Sequence, residues 1–268
     1  EEAVTPRTKA VSLVHYLGMP VAMERVNEVA GRHGLFVLED CALALGTRYQ
    51  GIHAGLHGDV GCFSFYPVKH MTTAEGGMLI TKDAELASRI QRKRAFGVDR
   101  HAGERTVPGV YEVTTLGYNY RMNEIQAAIG LEQLKRVPEF LERRERNYQA
   151  LTRGLQAMEE IRLFESTHDA LRSSYYCQVA LLREDLVGRR LEIVDRLKAA
   201  GLGTSVYYPK PVPHMRYYRE KYGYNEESFP VAARISYGSI ALPVGPHLSE
   251  EDMAILVEAL KRAVREVK

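Results

Sequence analysis

Cys62-Phe63-Ser64-Phe65-Tyr66-Pro67-Val68-Lys69-His70, closed by Glu75-Gly76-Gly77, follows the segment Leu38-Glu39-Asp40-Cys41-Ala42 in this chain. Val37 and Leu38 lead a short apolar run into Asp40, and Gly61 to Phe65 make another. Both are predicted as buried strands, each with a charged residue at or beyond its end. In open α/β sheets, ligands sit at the carboxyl ends of strands. Side chains alternate along a strand, so Asp40 and Ala42 are expected to point the same way, the small Ala42 leaving room for a flat ring beside the acid. Ser64 offers a hydroxyl suited to a phosphate oxygen, and Pro67 stiffens the backbone before Lys69.

One lysine amine and one carboxylate in such positions are what pyridoxal phosphate requires. The lysine provides the resting Schiff base, and the acid keeps the pyridine nitrogen protonated so that the ring can act as an electron sink. Lys69 and Asp40 are the candidates for these roles. Each alone has a plainer reading, Lys69 as a solvated side chain and Asp40 as a helix cap. The ordered combination, with the glycines behind it, points to a cofactor site.

The run Ser64-Phe65-Tyr66-Pro67-Val68-Lys69-His70-Met71-Thr72-Thr73-Ala74-Glu75-Gly76-Gly77 resembles the lysine motif of the DegT/DnrJ/EryC1/StrS sugar aminotransferases, a family of fold type I pyridoxal phosphate enzymes. Further matches are spread along the chain: Thr5-Pro6-Arg7-Thr8-Lys9-Ala10, Glu39-Asp40 with Ala44-Leu45-Gly46, Gly117-Tyr118-Asn119-Tyr120-Arg121-Met122 before Glu124-Ile125-Gln126-Ala127-Ala128, Phe229-Pro230-Val231-Ala232 and Leu242-Pro243. The resemblance implies an α/β fold with a mixed, mostly parallel sheet in a large cofactor-binding domain, residues 1–140 here, and a smaller C-terminal α+β domain, residues 141–268. It implies transfer of an amino group from glutamate to a nucleotide-linked keto-deoxysugar, the cofactor carrying that group as pyridoxamine phosphate. Lys69 becomes the Schiff-base lysine and proton shuttle, Asp40 the pyridinium partner, and Ser64 a phosphate ligand. Asn119 is similar to a family asparagine that reaches the phosphate of the neighbouring subunit's cofactor, which implies a homodimer with shared active sites.

Some positions depart from the family pattern. Leu43 stands where Gln, His or Glu commonly meets the ring hydroxyl, Tyr66 and His70 where His and Asn are frequent, and Ala74 where Gly is frequent. The chain begins at Glu1, and the family's upstream phosphate-cradling turn is not found in it, so the N-terminal part of the large domain is expected to be absent. Two alternatives stay open: a pyridoxamine phosphate-dependent sugar dehydratase of the same family, in which histidine replaces the lysine and to which His70 draws notice, and a non-catalytic regulatory or interaction protein retaining the fold.

Composition agrees with a globular enzyme. The chain has 268 residues, 45% hydrophobic and 26% charged, enough for a sizeable core in one large or two modest domains. A net charge of +2 gives no electrostatic reason to expect nucleic acid or membrane partners. Three cysteines, Cys41, Cys62 and Cys177, lack paired metal spacing and suggest a reduced, cytoplasmic protein. His53 and His57 have the spacing of helical ligands, but Gly51, Gly55 and Gly58 argue against a helix, so no metal is expected.

Helices are predicted over Met23–Arg32 and Lys82–Arg94, from Asn123 to a break near Pro138 and again from Phe140 to Leu155, from Arg189 to Ala200 stopped by Gly201, and from Ser249 onward with Asp252 completing a capping signature. Tyr175–Leu182 is predicted as a strand. Arg100 to Val113 is read as a loop that covers a site or merely connects. The segment Tyr207, Tyr208, Pro209, Pro211, Pro213, His214, Tyr217, Tyr218 is read as a tyrosine-rich loop. Tyr207, Tyr208 and His214 are its candidates for binding sugar or base rings; the alternative is a packed loop.

Overall fold

The structure is a computed structural model and describes residues 1–99, 107, 109–165, 167–168 and 170–268. Most of the loop read from Arg100 to Val113 lies outside the described residues. The chain divides into two compact units, Glu1–Pro138 with Asp169–Ser174, and Glu139–His168 with Tyr175–Lys268.

The first unit is built on strands β1 (Ala10–Val14), β2 (Phe36–Asp40), β3 (Val60–Ser64) and β4 (Gly77–Ile80), side by side in that order. β1 and β2 run parallel, with Val14 opposite Asp40, and β2 and β3 run parallel, with Asp40 opposite Cys62. β4 returns antiparallel, placing Gly77 opposite Ser64. Parallel neighbours need a crossover, and helix α1 (Met23–His33) provides the first. Its C-terminus is closed by Gly34 in the left-handed conformation at φ 59°, where glycine avoids the Cβ clash. Met23, Ala30, Leu35, Val37 and Tyr49 form the core against this sheet. The expectation of a strand buried on both faces holds only in part. In β2, Val37 and Glu39 are buried while Phe36 is exposed and Leu38 and Asp40 lie between, so one face carries the packing and the other faces the site.

Helix α2 (Ala84–Arg94) starts two residues later than its sequence pattern suggests, because Asp83 is used as the cap, its carboxylate accepting from the N–H groups of Glu85 and Leu86. Helix α3 runs from Glu124 to Leu155 with Pro138 inside it, so the predicted interruption does not occur. Proline removes one intrahelical hydrogen bond. In a long helix that local loss is outweighed, since propagation is cooperative and the residues on both sides are already helical.

The second unit carries strands β5 (Ile161–Leu163), β6 (Cys177–Leu182) and β7 (Ser239–Pro243), with β6 central and antiparallel to both neighbours. Helices α4 (Arg190–Ala199), α5 (Arg216–Tyr222), α6 (Pro230–Gly238) and α7 (Glu250–Val267) complete it. α7 buries Met253, Leu256, Val257, Leu260, Val264 and Val267, a stripe of helical period. Its start matches the sequence signal: Ser249 N–H donates to Asp252 Oδ2 at 2.8 Å and Asp252 N–H donates to Ser249 Oγ at 3.2 Å. The tyrosine-rich segment is only partly a loop. Tyr217 and Tyr218 lie on α5, and Val212–His214 is a turn of 3-10 helix. Among the described residues no helix is long and apolar enough to cross a membrane.

Candidate active site

Asp40 ends β2, and its Oδ1 accepts from Ala42 N–H at 2.9 Å. The turn so made keeps both residues half-buried, while Glu39 and Cys41 between and before them are fully buried. Beyond β3 the chain folds back on itself. Phe65 N–H donates to Gly76 C=O, Thr73 N–H donates to Phe65 C=O, and Lys69 N–H donates to Tyr66 C=O at 3.0 Å. Lys69 is thereby held on a closed turn beyond the strand next to Asp40's. Burial pushes the Lys69 amine below its ordinary range, and the Asp40 carboxylate acts against that shift. The two charges are thus close enough to feel one another. Ser64 closes β3, its Oγ accepting from Tyr66 N–H at 3.4 Å and so keeping its own hydrogen to donate.

Beneath this face lies a pair that the sequence pattern did not single out. Glu39 is fully buried and accepts from Gly55, His57 and Gly58 N–H at 2.7, 2.8 and 2.6 Å. His15 Nδ1 accepts from Val21 N–H at 3.1 Å. The imidazole therefore carries its proton on Nε2, which donates to Glu39 Oε2 at 2.9 Å. His15 also ties its backbone N–H to the Asp40 carbonyl. The loop can approach only because of glycine: a Cβ on Gly61 would sit 2.3 Å from Gly55 Cα. Burial alone raises the Glu39 carboxyl, but hydrogen bonds from His15, Gly58 and Gly55 outweigh it and hold the group down at about 2.

Glu39→Gln is therefore expected to cost about 3 kcal/mol of stability at neutral pH. A depressed carboxyl stabilises the fold above its ordinary value of 4.5 and ceases to do so as pH falls through about 2. Urea denaturation across that range should show the gap between wild type and variant closing toward acid. A gap that does not change with pH would assign the loss to packing rather than to the charge.

His15, Glu39 and Cys41 offer three buried ligand atoms close together, yet the carboxylate already has four donors. The Cys41 thiol is pushed up by burial and by the charges of Glu39 and Asp40, so it stays protonated. Cys62 is raised for the same reasons, burial first and then Asp40. All three cysteines are free. His70 is buried and donates from Nε2 to the Ser174 carbonyl at 2.9 Å, anchoring the loop that bears Lys69. Leu43 is buried, and its carbonyl accepts from Ser174 Oγ at 2.8 Å.

Asn119 is exposed, and its Oδ1 accepts from Arg121 Nε at 3.0 Å. It pairs with Ala95 as an antiparallel bridge beyond α2. Among the described residues it makes no hydrogen bond to Lys69, Asp40 or Ser64. The remaining candidates belong to the second unit. Tyr207 is half-buried, its hydroxyl 3.3 Å from that of Tyr176, and its ring lies edge-on to Tyr208, which is exposed. His214 is buried with both ring nitrogens engaged, Nδ1 with the Tyr237 hydroxyl at 3.2 Å and Nε2 with the Ser228 carbonyl at 2.7 Å. In this structure it holds its own segment in place rather than opening a nitrogen to a ligand.

The fold is that of the pyridoxal phosphate-dependent sugar aminotransferases. The model of the DegT/DnrJ/EryC1/StrS aminotransferase family matches residues 1–261, and the chain belongs to that family. It is 38% identical over 273 residues to the spore coat polysaccharide biosynthesis protein SpsC of Bacillus subtilis, spanning 99% of this chain and 69% of that one. It is 34% identical over 266 residues to GDP-perosamine synthase of Escherichia coli, spanning 97% and 67%. Among solved structures it superposes on Helicobacter pylori PseC, an aminotransferase involved in the biosynthesis of pseudoaminic acid, with a TM-score of 0.91 at 27% identity, covering 99% of this chain and 69% of that chain. The cofactor is pyridoxal phosphate. The residues present fit it: a carboxylate at the end of β2, an amine on the turn that follows the parallel neighbour β3 and within reach of that carboxylate's charge, and a hydroxyl donor at the end of β3.

Proposed function

We propose that this protein transfers an amino group from glutamate to the keto group of a deoxysugar linked to a nucleotide, with Lys69 and Asp40 as its catalytic residues. The observation that carries this reading is the placement of Lys69 on the closed turn beyond β3, the strand paired in parallel with the one that Asp40 ends. Bound there, pyridoxal phosphate supplies an electron sink that acidifies the carbon bearing the amino group. Asp40, with one oxygen engaged by Ala42 N–H, keeps the other for the cationic ring nitrogen. Lys69 moves the proton between the donor or sugar carbon and the cofactor. Its burial, which lowers the amine's affinity for protons, raises the fraction present as the neutral base that such a step needs. Ser64 and Ala42 shape the remainder of the cofactor site, and Tyr207 and Tyr208 are assigned to the sugar nucleotide. The nucleotide-linked substrate is supported by GDP-perosamine synthase among the relatives. His214 is the weakest of the assigned residues, since both its nitrogens are occupied. The dehydratase alternative has no support in the geometry of His70, which is buried against Ser174.

We also assign Asn119 to the cofactor phosphate of a second copy. In the first unit, Leu116, Tyr120, Ile125, Leu131 and Leu134 are all exposed, an apolar surface that a homodimer would cover.

The test is mass spectrometry of products from a panel of nucleotide-linked keto sugars incubated with glutamate and pyridoxal phosphate, run beside sedimentation analysis of the enzyme. The expected product has an amino group in place of the keto oxygen, made by a dimer. Loss of water from the sugar instead would establish the dehydratase, and full activity in a monomer would remove Asn119 from its role.

A further inference from the structure

Glu39 keeps a full negative charge inside the first unit, and among the described residues no lysine or arginine is paired with it. Its four donors are the backbone N–H groups of Gly55, His57 and Gly58 and the Nε2–H of His15, an imidazole that is neutral because its Nδ1 accepts from Val21 N–H. The other titratable groups around it are not cationic either. His53 accepts from Gly46 N–H at Nε2 and donates from Nδ1 to the Ala54 carbonyl, and burial lowers its affinity for a second proton. The His57 ring turns to the Ile52 carbonyl. The Cys41 thiol is pushed up by burial and then by Glu39 and Asp40, so it stays protonated. Buried carboxylates are ordinarily paired with a cation. Here neutral dipoles hold the charge in place and leave it uncancelled.

The position of that charge gives it a use. Successive residues of a strand point to opposite faces. Glu39 therefore lies on the packed face of β2 with Val37, and Asp40 lies on the other. His15 joins the two, its Nε2–H donating to Glu39 and its backbone N–H to the Asp40 carbonyl at 3.1 Å. A cation held by Asp40 would meet one negative charge in contact and a second from behind the strand, through protein rather than water, where charges are screened less.

We propose that Glu39 is a second carboxylate acting on the cofactor's ring nitrogen, its buried and uncancelled charge helping Asp40 to keep that nitrogen protonated. The assignment rests on the reading of Asp40 as the partner of the ring nitrogen. Glu39 touches neither cofactor nor substrate. It acts at a distance through its charge, in addition to clamping the loop from Gly55 to Gly58, and a clamp alone would not depend on the sign of the charges around it.

The test reads the ring nitrogen itself, by nitrogen NMR of the holoenzyme loaded with isotopically labelled pyridoxal phosphate, as the pH at which that atom gives up its proton. Asp40→Asn should lower this midpoint into the range where the protein stays folded, and the remaining variants are compared on that background. At an effective dielectric of about 20, a unit charge acting from about 10 Å moves a titration midpoint by about one unit. Glu39→Gln is expected to lower it further by that amount. His15→Gln and His15→Lys both replace the imidazole that accepts from Val21 N–H, and they differ in charge. His15→Gln, neutral for neutral, should leave the midpoint where Asp40→Asn puts it. His15→Lys sets an ammonium against Glu39 and should lower the midpoint as Glu39→Gln does. Should Glu39→Gln fail to accumulate, the His15 pair decides. No further shift in Glu39→Gln or His15→Lys, or equal shifts in both His15 variants, would overturn the proposal, the latter by assigning the effect to packing. If Asp40→Asn itself leaves the midpoint at its wild-type value, the reading of Asp40 falls and this proposal with it. A drop in Asp40→Asn with none added by Glu39→Gln overturns this proposal alone.

Discussion

Lys69→Ala is expected to reduce transamination by about a thousandfold or more, because in the proposed reading one amine serves both as the cofactor's covalent anchor and as the proton carrier, and general acid–base catalysis alone contributes that order. The loss should appear in both half-reactions, unlike that of a residue reading only one substrate. Folding should be little affected. Lys69 is half-buried and makes no ion pair in the described structure, so the melting temperature is expected to stay close to that of wild type. Borohydride reduction of the wild-type holoenzyme followed by peptide mapping should place the cofactor on the peptide containing Lys69. An adduct on another lysine, or substantial turnover in the alanine variant, would remove the assignment.

Asp40→Asn should be nearly as damaging and in a more revealing way. An opposite charge beside a titrating group shifts it by about one to three units, or roughly 1.4 to 4 kcal/mol, so loss of the carboxylate should lower the chemical rate by about tenfold to a thousandfold. Asparagine keeps the side-chain oxygen that accepts from Ala42 N–H, so the turn survives and stability should fall by only about 1 kcal/mol. The variant should also bring the absorbance of the cofactor's ring under stronger pH control, since the ring nitrogen has lost the group that holds its proton. Near-normal turnover with a large drop in stability would show instead that Asp40 serves only as a cap.

The placement of these two residues was legible in the sequence because both follow short apolar runs in a parallel sheet, where chain order and strand direction alone put them at one end. The capping pair Ser249 and Asp252 was legible for a similar reason, being local. What escaped depends on register or on tertiary compensation. Glu39 meets His15 through the β1–β2 pairing and meets Gly55 through a loop that folds back. The signal was nevertheless present, for Glu39 alternates with Val37 and Cys41 on the face that packs, and a charge there demands a partner. Arg144 shares the helical stripe of Tyr148, Leu151 and Leu155, all buried, so it too is a charge placed where the pattern calls for an apolar residue. Pro138 misled in the opposite sense. Its local preference is real, but a helix already nucleated on both sides absorbs it. The tyrosine-rich segment was read as loop because its prolines dominate, while Arg216–Tyr222 has the length for only two helical turns.

The chain passes between its two units at Pro138, then returns to the first for Asp169–Ser174 before leaving again. That short return is not incidental to the site: Ser174 holds both His70 and the Leu43 carbonyl, and Ala170 accepts from Gln50 N–H. A ribosome releasing this protein therefore delivers Asp40 and Lys69 long before the residues that brace the loops around them. The first unit cannot close its cofactor face as an autonomous nascent domain, and no single cleavage of the finished chain can liberate it whole. Assembly of the end that bears Asp40 and Lys69 is deferred until Ser174 has emerged, which makes the order of synthesis itself a guard against a half-built site meeting its cofactor.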